Sequence, residues 1–122
     1  MKVALTVWEN RISPVFDCAQ MLLIVDIVEH RETGRHFEPF HYETPFSRAA
    51  KLSDLGVQVL IFGAVSDHFA NMIETYRIRI ISFIAGDVED VLDSYLVDGV
   101  CDSKFRMPGC RTRRDEGFRE GN

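Results

Sequence analysis

The apolar residues of the chain fall into short runs that predict five β-strands. Residues 3–7 and 21–28 are rich in aliphatic and β-branched side chains, and residues 35–42 alternate as a strand returning from a hairpin does. The run at 57–62 hardly alternates, which is typical of a strand buried on both faces, and residues 78–83 form the fifth strand.

Capping residues predict three helices in the second half of the chain. The first follows Thr44, a good N-cap, and ends at Gly56; the second begins after Ser66; the third runs from Asp87 to Gly99. The third has the clearest helical spacing of apolar residues. The face of the first helix that meets the core is predicted to contain Phe46, Ala49 and Ala50, with Ser53 as a further candidate.

The order of these elements predicts one α/β domain with a mixed five-stranded sheet and three helices. The polar stretch 29–34 predicts a hairpin turn, so the early strands are partly antiparallel, whereas residues 57–83 form a right-handed parallel βαβ unit. This order resembles the ribonuclease H-like topology. Residues 1–102 are assigned to the domain, and residues 103–122 to a basic, flexible tail.

Charge and composition narrow the range of functions and partners. The net charge of -5 divides into -8 over residues 1–103 and +3 over residues 104–122. An acidic body does not attract nucleic acid, so none is expected as a partner. No run approaches the ~20 apolar residues of a membrane span and no signal peptide is recognisable, so a cytoplasmic protein without membrane association is expected.

The predicted topology brings three loops to one edge of the sheet, where open α/β sheets bind ligands. Each loop follows a strand, and two of them open helices whose free N–H groups attract anions. Alternatively, Gly63 and Gly86 serve only to make tight strand-to-helix turns. Phe16, from the stretch after the first of these loops, is added to the candidates. The candidate ligand-binding residues are Trp8, Glu9, Asn10, Phe16, Gly63, Ala64, Ser66, Gly86 and Asp87.

Signatures of catalysis are weak, and no enzymatic activity is expected. There is no Gly-x-Ser-x-Gly elbow and no Walker loop. A two-metal nuclease needs several carboxylates at one centre, but Asp54 ends a helix and Asp87 caps another. Cys110 lies among arginines that would favour its thiolate and could bind a metal, with Cys18 as a second thiolate. The simpler interpretation of Cys18 is a small core residue.

Three stretches of the sequence resemble one known family. Glu9 to Asp17 (ENRISPVFD), Leu22 to Asp26 and Leu60 to Ser66 (LIFGAVS) are similar in order and spacing to the dinitrogenase iron–molybdenum cofactor biosynthesis domain. The resemblance covers about residues 2–100. It implies a ribonuclease H-like fold and a protein that binds an iron–sulfur or iron–molybdenum cofactor, or its precursor, and delivers it to an accepting protein.

One position departs from the family pattern. Members tied to the cofactor carry His-Phe-Gly in the first loop, with the histidine as a candidate ligand, where this chain has Val15-Phe16-Asp17. The chain therefore resembles the stand-alone members, and Cys110 or Cys18 would have to replace the histidine. The expected function is a non-catalytic metallocofactor carrier. The alternatives are a metal-free small-molecule or anion-binding protein and a protein-interaction module.

Overall fold

Three helices pack on the two faces of one mixed β-sheet. The computed structural model describes residues 1–16, 19–40, 44–99 and 103–107. Its strands are β1 (Lys2–Trp8), β2 (Arg11–Ile12), β3 (Met21–Val28), β4 (Arg31–Pro39), β5 (Val59–Ile61) and β6 (Arg79–Ile81). Its helices are α1 (Pro45–Asp54), α2 (Asp67–Thr75) and α3 (Val88–Asp98), followed by a short 3-10 turn at Ser103–Phe105. The predicted α/β fold with three helices is confirmed.

The sheet is ordered β4-β3-β1-β5-β6, with β2 paired to β1. β1 is parallel to β5, and β5 to β6, whereas β3 is antiparallel to both β1 and β4. The carboxyl ends of β1, β5 and β6 therefore lie at the same edge of the sheet. We call this the carboxyl edge.

The sequence pattern did not predict β2, so the described sheet has six strands rather than five. Glu9 and Asn10 both adopt left-handed backbone conformations, with φ of 49° and 67°. Two such residues make a tight hairpin turn, which sends Arg11–Ile12 back along Val7 and Trp8. A two-residue strand has no periodicity of its own, so only this turn could have indicated it.

The β3–β4 hairpin is tighter than the polar stretch 29–34 predicted. Its turn consists of Glu29 and His30 alone, again with positive φ angles, and β4 already begins at Arg31. The charged residues that suggested a loop instead belong to an edge strand, whose side chains are mostly exposed. Charged side chains are common on edge strands because they discourage pairing with other chains.

Two hydrophobic cores lie on opposite faces of the sheet. The core under α1 and α2 includes Ala4, Leu22 and Leu60, and the core under α3 includes Leu5 and Leu23. The three predicted N-caps are confirmed. Thr44, Ser66 and Asp87 each accept hydrogen bonds from backbone N–H groups in the first turns of their helices.

The predicted core-facing side of α1 was wrong at two positions, Phe46 and Ser53, which are both exposed. Phe46 is 64% exposed, whereas the buried stripe runs through Arg48, Ala49 and Leu52. Arg48 turns inward, where its guanidinium donates to carbonyls of the loop that precedes β3. An arginine on the buried face could not be anticipated from hydrophobic periodicity.

Residues 103–107, which the sequence analysis assigned to the tail, pack against the sheet. Phe105 is buried, the N–H of Ala85 donates to its carbonyl at 2.6 Å, and the N–H of Met107 donates to the Phe83 carbonyl at 2.8 Å. Residues 108–122 lie outside the described residues, so the assignment of a flexible tail stays a prediction. Within the described ranges, no helix is long and apolar enough to cross a membrane.

Candidate functional site

The predicted loops meet at the carboxyl edge. The turn after β1 contacts the start of α3, where the N–H of Val88 donates to the Asn10 carbonyl at 2.9 Å. The N–H of Ile12 donates to the Gly86 carbonyl at 2.9 Å, and Val15 forms a parallel bridge with Ala64. Main-chain hydrogen bonds thus connect all three loops.

A stretch of chain, Ile12–Phe16, crosses this edge from one face of the sheet to the other. Ile12 packs in the core under α3, whereas Phe16 packs in the core under α1 and α2. Between them, the N–H of Ala64 donates to the Pro14 carbonyl at 2.8 Å, and the N–H of Phe16 donates to the Ala64 carbonyl at 2.9 Å. We call Ile12–Phe16 the crossing segment; it divides the carboxyl edge into an α2 side and an α3 side.

Gly63 lies directly beneath the crossing segment. A Cβ atom at this position would stand 2.4 Å from the carbonyl oxygens of both Ser13 and Pro14. Glycine is therefore required here so that the chain's own backbone can approach. The space above Gly63 that the sequence left open for a ligand is filled by the protein itself.

Phe16 anchors the crossing segment and is not available to a ligand. Its ring is fully buried, and its centroid lies 5.2 to 5.7 Å from those of Phe40, Phe62 and Phe69. Tilted and edge-to-face contacts at these distances are favourable. Phe16 therefore holds the segment in place rather than forming part of a binding surface.

Arg48 of α1 holds the end of the same segment and was missed by the sequence analysis. Only 6% exposed, its guanidinium donates to the carbonyls of Phe16 at 3.2 Å and Ala19 at 2.9 Å. It also lies 4.6 Å from the Phe40 ring centroid, within cation–π range. Asp17 and Cys18, which join Phe16 to Ala19 in the sequence, lie outside the described residues.

The α2 side of the carboxyl edge presents an open helix N-terminus. The Ser66 hydroxyl accepts from the N–H of Phe69 at 3.3 Å, and the side chains of Ser66, Asp67 and His68 are exposed. Val15 is 41% exposed and bridges to Ala64, two residues before the cap. Position 15 is thus accessible from solvent beside the start of α2.

The N-terminus of α3 is already occupied by the chain's own groups. The Asp87 carboxylate accepts from the N–H groups of Glu89 at 2.9 Å and Asp90 at 3.3 Å, and the N–H of Val88 is bound to Asn10. Two further carboxylates, those of Glu89 and Asp90, lie in the first turn. A second anion would be repelled here, so the α2 side is the more favourable place for a negatively charged ligand.

Gly86, on the α3 side, is needed for packing. Its φ is 142°, and a Cβ there would lie 2.9 Å from the ring of Phe105. Trp8 and Glu9 are exposed at the end of β1, with Trp8 58% accessible. An open groove of about 220 Å³, here called the Phe37 groove, lies next to α3 and is lined by Val7, Asn10, Leu23, Phe37, Asp87, Val88 and Glu89.

The described residues do not supply a metal-ligating cluster. Over the ranges that the structure describes, no three His, Cys, Asp or Glu side chains are grouped to hold a metal ion. The candidate ligands Cys18 and Cys110 fall outside those ranges. Asp26, a carboxylate elsewhere on the sheet, accepts from Lys2 at 2.8 Å, and this hydrogen bond lowers the pKa of Asp26.

Comparison with known proteins places the chain in a family. A family model described as dinitrogenase iron–molybdenum cofactor matches residues 1–98. No curated protein sequence matches the chain.

Solved structures share the fold at low sequence identity. The crystal structure of PH0822 has a TM-score of 0.77 and 15% identity, over 84% of this chain and 93% of that one. A protein provisionally described as a dinitrogenase from Methanocaldococcus jannaschii has a TM-score of 0.66 and 20% identity, over 84% and 92% of the two chains. A protein provisionally described as NifB from Thermotoga, in the DUF35 family, has a TM-score of 0.63 and 17% identity, over 92% and 97%.

Proposed function

The chain belongs to the dinitrogenase iron–molybdenum cofactor family, and from that premise we propose that it binds a metallocofactor or a precursor and delivers it to an accepting protein. The family indicates a role in cofactor biosynthesis or binding. The finer proposal is that this chain is a carrier of an iron–sulfur or iron–molybdenum type of cluster and catalyses no reaction itself.

The observation that supports this proposal is the exposure of position 15. Val15 stands where the family resemblance places a candidate histidine ligand, and it is 41% exposed although Phe16 next to it is fully buried. The crossing segment therefore presents this position to solvent on a backbone fixed by hydrogen bonds to Ala64. A cluster could reach position 15 from the α2 side without displacing any part of the core.

The described residues alone do not supply a full set of donor atoms for a cluster. Valine cannot ligate a metal, and the described ranges hold no cluster of donors. We therefore assign the ligating role to Cys18, three residues after Val15, with Cys110 as a second thiolate. Thiolates are the usual protein ligands of iron–sulfur clusters.

The topology also supports assignment to the ribonuclease H-like class. With β2 set aside, the five remaining strands, numbered along the chain, lie in the sheet in the order third, second, first, fourth, fifth. Only the second is antiparallel to the others. A nuclease function is not proposed, because a two-metal centre needs several carboxylates together, and among the described residues no three His, Cys, Asp or Glu side chains are grouped in this way.

A metal-free anion-binding function is the second candidate, and the open N-terminus of α2 favours it. Ser66 and His68 are exposed there beside a single first-turn carboxylate, that of Asp67. The start of α3 instead carries the carboxylates of Asp87, Glu89 and Asp90, and its amides are bound to Asp87 and Asn10. Anion binding would not need a thiol, so variants without cysteines distinguish this function from that of a metallocofactor carrier.

Anaerobic reconstitution of the full chain with iron and sulfide tests the proposal. We expect a thiolate-to-iron charge-transfer absorption in the parent. The absorption should be lost in Cys18→Ser, weakened in Cys110→Ser and kept in Cys101→Ser. A parent that takes up no iron would overturn the carrier function. Phosphate binding that survives replacement of all three cysteines would instead favour the anion-binding candidate.

A further inference from the structure

The Phe37 groove combines an exposed aromatic ring with an apolar floor. Phe37 of β4 is 58% exposed, whereas Leu23 and Val88 on the floor are 1% and 4% exposed. An aromatic ring left in water beside such a floor is a feature of surfaces that bind a partner. The groove lies on the α3 side, away from the accessible Val15.

The rim of the groove is acidic. Asp87 and Glu89 line it directly, and Arg35, the neighbouring cation, donates to both carboxylate oxygens of Glu89 at 2.6 and 3.1 Å. Arg35 also donates to both oxygens of Glu32. A second cation, Arg11, lies beside Asp87 through an antiparallel bridge. The three carboxylates of Glu32, Asp87 and Glu89 thus outnumber the two guanidinium groups, so the rim keeps a net negative charge and favours a cation over an anionic cofactor.

Two polar groups of the groove retain hydrogen-bonding capacity. Asp87 uses Oδ1 to cap α3, and within the described part of the chain its Oδ2 accepts no hydrogen bond. The side-chain amide of Asn10 makes none with the described residues either. An incoming group with several N–H donors could bind the Asp87 carboxylate and the side-chain Oδ1 of Asn10 while its flat face covers the Phe37 ring.

We propose that the Phe37 groove docks a protein partner through an arginine side chain of that partner. A guanidinium is planar, stacks on aromatic rings and donates in a fork that matches a carboxylate. Its aliphatic stem would cover the floor formed by Leu23 and Val88. A partner held there would lie on the α3 side and leave the α2 side open, and the proposal does not depend on whether a cofactor binds.

A peptide titration of the ¹⁵N-labelled full chain tests this docking site. The probe is acetyl-Ala-Arg-Ala-amide, and its matched control carries citrulline, a neutral isostere, in place of arginine. The arginine peptide is expected to shift the amide signals of Asn10, Phe37 and Val88, to bind several-fold more tightly than the citrulline peptide, and to weaken as salt is added.

Paired variants then locate the binding. Phe37→Ser is expected to weaken the arginine peptide by about 2- to 5-fold, whereas Phe46→Ser, which removes a similarly exposed ring from α1, should not. Asp87→Asn keeps a good N-cap but removes the charge, so it should also weaken binding. Equal binding of both peptides, shifts confined to other surfaces, or unchanged affinity in Phe37→Ser would each overturn the proposal.

The chain's own arginines are the competing occupant. If the full chain with Arg111, Arg113 and Arg114 changed to Gln binds the arginine peptide while the parent does not, a residue of 108–122 occupies the groove. That outcome would refute docking of a separate partner.

Discussion

The carbonyl oxygen of Pro14 lies over the Cα atom of Gly63, so close that a Cβ atom there would stand 2.4 Å from it. This contact lets the crossing segment pass over the carboxyl ends of β1 and β5 and places Val15 beside Ala64. The position at which the family carries a candidate ligand therefore depends on a glycine in a different loop.

Gly63→Ala is expected to destabilise the protein by about 3 kcal/mol, because the atoms that a methyl group would meet are backbone carbonyls that cannot rotate away. Urea unfolding followed by circular dichroism measures the change. Gly34→Ala is the matched control, since its Cβ would have only an ordinary 3.8 Å contact with Asp26. Equal stability of the two variants would show that the crossing segment moves easily.

Replacing Arg48 with Met should cost about 3 kcal/mol of unfolding free energy, because the buried carbonyls of Phe16 and Ala19 lose their donor and two aromatic rings lose a cation. Arg48→Lys should recover part of the loss. Arg31→Met, on the exposed first residue of β4, is the control and should change stability by less than about 0.5 kcal/mol. Thermal unfolding of the three variants would test this, and a neutral Arg48→Met would contradict the proposed anchoring role.

The local features of the sequence predicted most of the fold. The apolar runs at β1, β3 and β5 and the caps Thr44, Ser66 and Asp87 are short-range signals, so they could be read without the tertiary structure. β2 could not be found in this way, because its two residues pair only through the left-handed turn that precedes them.

The candidate site was predictable in its place but not in its details. A general rule for α/β sheets locates ligands at the carboxyl edge, and the three loops do meet there. The covering of Gly63 by Pro14 and the inward turn of Arg48 both depend on contacts between residues far apart in sequence. The Phe37 groove was missed for a similar reason, since β4 and α3 contribute to it together.

The ion pair of Glu32 with Arg35 should make stability fall at acid pH. Hydrogen bonds from Arg35 at 2.5 and 2.6 Å lower the pKa of Glu32 below its ordinary value of 4.5. A lowered folded-state pKa contributes stability above the unfolded value, and this is lost as pH falls through the folded value. The difference in melting temperature between pH 6 and pH 3 should therefore be smaller in Glu32→Gln than in the parent. Arg35→Gln should reduce the difference as well, because it removes the guanidinium that lowers the pKa of Glu32.

Trp8 should report cluster loading. It is the single tryptophan of the chain and lies exposed at the end of β1, on the carboxyl edge. An iron–sulfur cluster absorbs broadly, so its binding at this edge should quench Trp8 fluorescence by energy transfer. In a Trp8→Phe/Val97→Trp variant, the tryptophan would lie nine residues after Val88, the first residue of α3, and so about 14 Å along the helix from its start. Quenching should be weaker there, and equal quenching at both positions would place the cluster elsewhere.

Val15→His should increase the affinity of the protein for iron, because it restores an imidazole at the position where the family carries a candidate ligand. Val15 is 41% exposed, so the substitution should change stability by less than about 0.5 kcal/mol. Anaerobic titration with ferrous iron, followed by calorimetry, should show binding at least about tenfold tighter than in the parent, as expected when one good ligand is added to a site.

Val97→His is the control for this experiment. Val97 is 79% exposed on α3, so a histidine there should leave the iron affinity of the protein at the parent value. Combining Val15→His with Cys18→Ser separates two explanations of a positive result. If position 15 and Cys18 share one metal, the gain should largely disappear in the double variant. A gain that persists without Cys18 would mean that the new histidine binds iron independently, and Cys18 would then lose its proposed role as a ligand.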